Sequence, residues 1–267
     1  MKINRFVLYL MCVGIIAGCK KDDDVPPDTS INFFSIDDDI QLGKQLDAEI
    51  MSNPDEYPIL DEQQYPEAYA HLRRIRDSIL NTGRVRFEDR FEWSVKIIHD
   101  DDVLNAFAAP GGYIYVYTGI IKFLDTEHEF AGVLGHEIAH ADRRHSTDQL
   151  TTSSLKGVVI DLLLGDSTVL GQVVAGLWNL KFSRKNEAEA DEFSVIYLCP
   201  TAYQADGASA FFEKIVNAGG GGGATFLSTH PEPSDRVNDI KAKKEELMCD
   251  GNSTFDSRYE DFKNSLP

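Results

Sequence analysis

Apolar residues recur along this chain at the spacing of one helix face and, in two short stretches, at the alternation of a strand. Ser35-Ile36-Asp37-Asp38 has the form of a capping box, in which a serine and an acidic side chain satisfy each other's backbone N–H groups. Ile36, Ile40, Leu42, Leu46 and Ile50 continue from it as a stripe, so a helix is predicted to run to Asn53-Pro54. Pro66 opens a second helix with Ala68, Leu72, Ile75 and Ile79 on one side and Gly83 past its end. Phe91, Trp93, Val95 and Ile97 alternate with polar residues, as a half-buried strand does, and Tyr113 to Thr118 reads as a second strand after the turn at Pro110-Gly111-Gly112. Thr126 with Glu129 repeats the capping-box pattern, and Phe130, Val133, Leu134, Ile138 and Ala141 follow at helical spacing, which predicts a helix of about twenty residues.

Two apolar runs, Val158 to Leu164 and Val169 to Leu180, raise the possibility of a membrane hairpin. Asp161, Gly165 and Asp166 interrupt them, and neither reaches the ~20 residues a span needs, so buried or cleft-covering helices are expected. Gly219 to Gly223 reads as a mobile loop. The segment after Gly251 is polar and is expected to dock loosely or stay disordered.

Composition changes this picture mainly at the N-terminus. Lys2 and Arg5 precede an apolar stretch from Phe6 to Ala17, the layout of a secretory signal. Ile16-Ala17-Gly18-Cys19 resembles the lipobox of bacterial lipoproteins, with Cys19 as the lipidated residue. Lys20 to Pro27 then reads as a flexible tether, and its charged run looks like an export signal to the cell surface. The expected layout is a signal peptide at 1–18, the lipidated cysteine and tether at 19–34, a catalytic domain at 35–250 and a polar tail at 251–267. Losing residues 1–18 deepens the net charge from −18 to about −20, which argues against nucleic acid as a partner and leaves the lipid as the only membrane anchor. Of the four cysteines, Cys199 and Cys249 remain as an even pair in an exported chain. They are read as a disulfide closing a loop of about fifty residues, with two buried free thiols as the alternative.

The chemistry lies in His136-Glu137-Ile138-Ala139-His140. On a helix, positions i and i+4 share a face, so both imidazoles can reach one Zn²⁺ while Glu137 reaches a water beside it. Small residues around the motif argue against a solvent-facing helix. A catalytic zinc needs a third protein ligand, and no glycine and third histidine follow at the offsets that one class of such sites requires. A glutamate from a later helix is therefore expected, and Asn186-Glu187-Ala188-Glu189-Ala190-Asp191 supplies the candidate. Glu187 and Asp191 share a face, the first as ligand and the second as acceptor for a ligand histidine's other N–H, while Glu189 points elsewhere.

Four segments in this order, Asn105 to Ile114, His136 to His140, Ser183 to Asp191, and Thr229-His230-Pro231 with Arg236, resemble the family-48 metallopeptidases. These are the gluzincins that include HtpX-like heat-shock proteases and the CAAX prenyl proteases. The resemblance covers about Ser35 to Leu247 and implies an α+β, mostly helical zincin-type fold with a small sheet beside the H-E-x-x-H helix. It implies one zinc per chain held by His136, His140 and Glu187, with Glu137 as general base and Asp191 in support. Asn105, Ala106, Phe107 and Ala108 would form the edge strand on which a polypeptide substrate pairs. His230 would stand near the metal, as oxyanion donor or regulatory contact. Members with several membrane-spanning helices differ from this chain, which shows none after its signal and no C-terminal helical-repeat module. The expected activity is that of a zinc endopeptidase of the cell envelope, an outer-membrane lipoprotein acting on unfolded proteins. A chaperone-like binding lipoprotein and a latent protease are the competing readings.

Overall fold

The structure, a computed structural model, describes residues 32–153, 155–178, 181–217, 224–230 and 235–267. The expected signal peptide, Cys19, most of the tether and the Gly219 to Gly223 run lie outside the described residues. Helix α1 (Ile36–Ser52) begins at Ser35, whose Oγ accepts from the Asp38 N–H while the Asp38 carboxylate accepts from the Ser35 N–H. Helix α2 (Pro66–Leu80) follows with Pro66 in its first turn.

Three short strands then form a mixed sheet: β1 (Val95–Ile98), β2 (Ala106–Ala109) and β3 (Tyr113–Tyr117), in the order β1-β3-β2. β1 runs parallel to β3, and β2 pairs antiparallel with it, Phe107 opposite Tyr115. The first strand is shorter than the alternation predicts. Trp93 sits at φ 47°, a left-handed conformation that no strand ladder accepts, and its indole N–H donates to the Phe87 carbonyl. Phe91 and Trp93 therefore reach the core from a turn. Between β2 and β3, Gly111 and Gly112 have φ of 74° and 85°, and a Cβ on Gly112 would come within 3.0 Å of the Trp93 backbone, so glycine is required in that turn.

A short helix α3 (Thr118–Phe123) leads to α4 (Glu127–Asp142), which carries the two-histidine motif. All 16 residues of α4 are buried. Neighbours close on it because its small residues leave room: a Cβ on Gly132 would lie 2.1 Å from the backbone nitrogen of Ala208. Burial on every side forces each polar group of α4 to find a partner or a task. Glu127 is gripped by Arg74, Arg258 and the Tyr203 hydroxyl. Asp142 accepts from the N–H groups of Arg86 and Phe87 and from the Tyr197 hydroxyl. The start of α4 departs from the capping-box expectation. The Thr126 side chain makes no cap bond, its Oγ1 lies 2.6 Å from His128 Nδ1, and Glu129 accepts from the Asp125 N–H instead. Arg144, left-handed at φ 61°, ends this stretch short of the expected length and ties it to α1 through Asp39 and the Phe34 carbonyl.

The chain continues through α5 (His145–Thr152), α6 (Lys156–Leu163), α7 (Leu170–Trp178), α8 (Arg184–Leu198), α9 (Gly207–Asn217), α10 (Ala224–Thr229), α11 (Arg236–Glu246) and α12 (Asp256–Asn264). Val159, Leu162, Val173 and Val174 of α6 and α7 are buried in a second apolar cluster with Leu42 and Leu46, while Leu164 at the turn is 82% exposed. Among the described residues no helix is long and apolar enough to cross a membrane.

Two boundaries move. Asn32 to Phe34, counted with the tether in the sequence reading, dock on α5: Asn32 donates to the Thr147 hydroxyl and Phe34 is buried. The segment after Gly251 is part of the core and not a loose tail, because Tyr259 and Phe262 of α12 are fully buried and the Tyr259 hydroxyl donates to the Ile121 carbonyl. Its polar residues supply the other face, Arg258 reaching Glu127. Cys199 and Cys249 are joined by a disulfide that anchors the end of α8.

Candidate metal centre

The face that α4 shows to α8 collects the polar residues of the motif. His136 Nε2 and His140 Nε2 lie 3.0 Å apart, as positions i and i+4 of one helix allow. Glu187, in the first turn of α8, places Oε2 3.5 Å from His136 Nε2 and Oε1 3.5 Å from His140 Nε2. His230, just past α10, is fully buried, with Nδ1 3.1 Å from Glu187 Oε1 and 3.4 Å from His136 Nε2. These four donors lie within 4.8 Å of one another.

The outer ring nitrogens face polar neighbours that suit a proton on Nδ1. Asp191 Oδ1 stands 2.9 Å from His136 Nδ1, off the line of a straight N–H···O bond, and His140 Nδ1 is 2.9 Å from His145 Nδ1. Each motif histidine thus has a polar neighbour at its outer nitrogen and turns Nε2 inward. Two such lone pairs at 3.0 Å repel unless a positive charge sits between them. Burial pulls the His136 imidazole down, but Asp191 and Glu187 outweigh it and lift it to about 9. Glu187 is held well below the usual carboxylate range: burial raises it, and His230, His136 and His140 overcome that.

Zinc fits this donor set. Ligands ~2.0–2.1 Å from a tetrahedral ion stand about 3.3 Å from one another, and the separations among His136, His140 and Glu187 run from 3.0 to 3.5 Å. The second layer is charged and buried. Arg236 grips Asp191 with Nε and an NH2 group, each at 2.6 Å, and its NH1 lies 3.0 Å from Glu187 Oε2. Phe182 stacks on the His140 ring at 3.9 Å.

Glu137 differs from its neighbours. It is 0% exposed, both oxygens lack a hydrogen-bond partner, and His230 Nε2 stands 3.6 Å from Oε1. Burial pushes its carboxyl above the usual range, against the pull of His230 and His136. An unpartnered buried carboxylate is costly to keep charged.

The structure therefore gathers His136, Glu137, His140, Glu187, Asp191 and His230 at one place. His230, expected near the metal, lies within the donor group. Asn105 leads into β2, and β2 packs against α4, the helix that carries the two motif histidines. Tyr117 N–H donates to the Asn105 carbonyl, so by antiparallel alternation the amides of Ala106 and Ala108 face away from β3, where Ala108 already accepts from the Ser146 hydroxyl. This strand is at the sheet edge yet covered: Ala106 is 0% and Ala108 6% exposed. Sequence reasoning assigned no role to Arg236, His145 or Phe182. Two carboxylates on one buried helix face require a cation, which was the available signal for Arg236.

Residues 66–244 match the sequence profile of peptidase family M48. The mitochondrial metalloendopeptidase OMA1 of Arabidopsis thaliana is 30% identical over 179 residues, 66% of this chain and 36% of that protein. The metalloprotease YcaL of Escherichia coli is 30% identical over 154 residues, covering 55% of this chain and 60% of its own length. A putative beta-barrel assembly-enhancing protease of Vibrio cholerae is 27% identical over 159 residues, 54% of this chain and 33% of that protein. The chain thus spans between a third and three-fifths of the length of these curated relatives. With the match extending over more than half of its residues and enclosing the whole donor group, this chain belongs to peptidase family M48.

Proposed function

We propose that the chain is a zinc-dependent endopeptidase of the bacterial cell envelope, hydrolysing peptide bonds in unfolded or misassembled proteins. The observation that carries this reading is Glu137, a buried carboxylate with no hydrogen-bond partner beside a two-histidine, one-glutamate donor set. A pure binding site needs the ligands but not this base. His136, His140 and Glu187 hold the metal. Zinc, when bound, supplies Lewis acidity to the scissile carbonyl and lowers the pKa of the attacking water. Glu137 takes the proton of that water and returns it to the leaving amine. An extended segment pairs with the outward amides of Ala106 and Ala108, a mode whose main-chain bonds tolerate many sequences. The relatives' names, a metalloprotease and a beta-barrel assembly-enhancing protease, support the setting.

A second reading, a latent form of the same enzyme, is favoured by two observations. His230 lies among the donors as a fourth ligand would, and the β2 edge is covered. In that form His230 and the elements over β2 must withdraw before substrate enters. Cys19 is read as the lipid anchor, holding the domain at the outer membrane.

The test is cleavage of casein by the purified mature domain against its Glu137→Gln variant. Cleavage lost in the variant, with zinc retained, supports the reading. Equal cleavage by both rejects it. For the location, Cys19→Ala is expected to leave the membrane fraction, and a variant that stays there points to a different anchor.

A further inference from the structure

We propose that His145 is the positioning residue for the metal ligand His140, fixing its tautomer and ring orientation through a relay that runs on to Glu189 and Arg143. The inference rests on the metallopeptidase reading above.

The relay is a chain of contacts. His145 opens α5, directly after the left-handed Arg144, and this reversal turns its ring back onto α4. His145 Nδ1 lies 2.9 Å from His140 Nδ1. The other nitrogen, His145 Nε2, is 3.4 Å from Glu189 Oε2. Arg143 Nε donates to Glu189 Oε1 at 2.8 Å. His145 is fully buried and Arg143 nearly so, its guanidinium 4.4 Å over the Phe193 ring.

Donor and acceptor counting gives the relay one direction. A histidine that offers the Nε2 lone pair to a metal carries its proton on Nδ1 and must donate from there. His140 Nδ1–H therefore points at His145, which has to accept on Nδ1. That leaves the His145 proton on Nε2, facing Glu189. Glu189 accepts only, and Arg143 donates only, so the chain ends without conflict. Reversal of the His140–His145 bond would place the proton of His140 on the nitrogen needed for the metal.

The other ligand histidine is handled by a shorter version of the same device: His136 Nδ1 faces Asp191, which Arg236 grips. Helix α8 thus acts on all three ligands. It supplies Glu187 itself, reaches His136 through Asp191, and reaches His140 through Glu189 and His145. The sequence placed Glu187 and Asp191 on one face, whereas Glu189 meets the site from around the helix, by way of α5.

The test is zinc binding to the metal-free protein, measured by competition with a chromophoric chelator, together with the visible spectrum of the cobalt-substituted form. His145→Phe keeps the ring volume and removes the acceptor, and is expected to bind zinc about 10–100-fold more weakly. His145→Asn, whose Oδ1 falls close to the lost Nδ1, is expected to recover most of the affinity and the wild-type cobalt spectrum. Wild-type affinity in His145→Phe overturns the proposal. So does equal loss in the Phe and Asn variants, which makes the effect one of packing. If His145→Phe does not fold, Glu189→Ala decides: Glu189 is partly exposed, and unchanged zinc affinity in this variant overturns the relay. Failure of the wild-type protein to bind zinc at all is a different result and defeats the metallopeptidase reading itself.

Discussion

Asp191 Oδ1 stands 2.9 Å from Nδ1 of His136, so the outer nitrogen of the first motif histidine is taken by a carboxylate 55 positions later in the chain. Arg236 then holds that carboxylate from both sides. The donor geometry at this centre is braced by charged pairs that are themselves buried.

The metal-free protein is expected to take up about one zinc per chain. His136→Ala and Glu187→Ala should lose it in elemental analysis, because each removes one of three donors. Glu189→Ala should still bind, at reduced affinity. Loss of metal in Glu189→Ala with retention in Glu187→Ala would reverse the ligand assignment.

His230→Ala tests latency. If His230 closes the resting site, the variant should cleave a short unstructured peptide faster than the wild type while keeping a zinc. A fall of about 100-fold in kcat with zinc unchanged would instead give His230 the oxyanion role.

Glu127 provides a pH-dependent stability term. Burial raises its carboxyl, but bonds from Arg74, Arg258 and Tyr203 outweigh that and hold it below its ordinary 4.5. A group depressed in the folded state contributes in full above its unfolded value and loses that contribution as pH falls through the folded one. The unfolding free energy of the metal-free protein should therefore decline as pH drops below that ordinary value. Glu127→Gln should flatten this slope and cost about 2 kcal/mol at neutral pH. Parallel denaturation curves for the two proteins at both ends of the range would remove Glu127 from the account.

The Cys199–Cys249 bond closes a separation of 50 residues. Chain entropy alone assigns such a loop about 4 kcal/mol, so Cys199→Ser should lower the denaturation midpoint markedly under oxidising conditions. An unchanged midpoint would show that the bond does not limit the unfolded chain.

Periodicity along the chain determined much of this protein before any contact was known. The spacing of His136 and His140 puts both imidazoles on one helix face whatever surrounds them, and Glu187 with Asp191 repeats the same logic on a second helix. The Ser35 cap and Pro66 are similarly local, since their partners lie within one helical turn. Tertiary packing decided what faces those groups. Arg236 meets Asp191 across 45 residues and Arg258 meets Glu127 across 131, pairings that depend on which helices touch and leave no mark at short range. The same holds for Trp93, whose alternating position suggested a strand but whose backbone is left-handed and packs against Gly112. It also holds for His145, whose role exists only because Arg144 turns it back toward His140. Backbone periodicity is a property of neighbours in sequence, whereas the partner of a buried charge is chosen by which helices pack together.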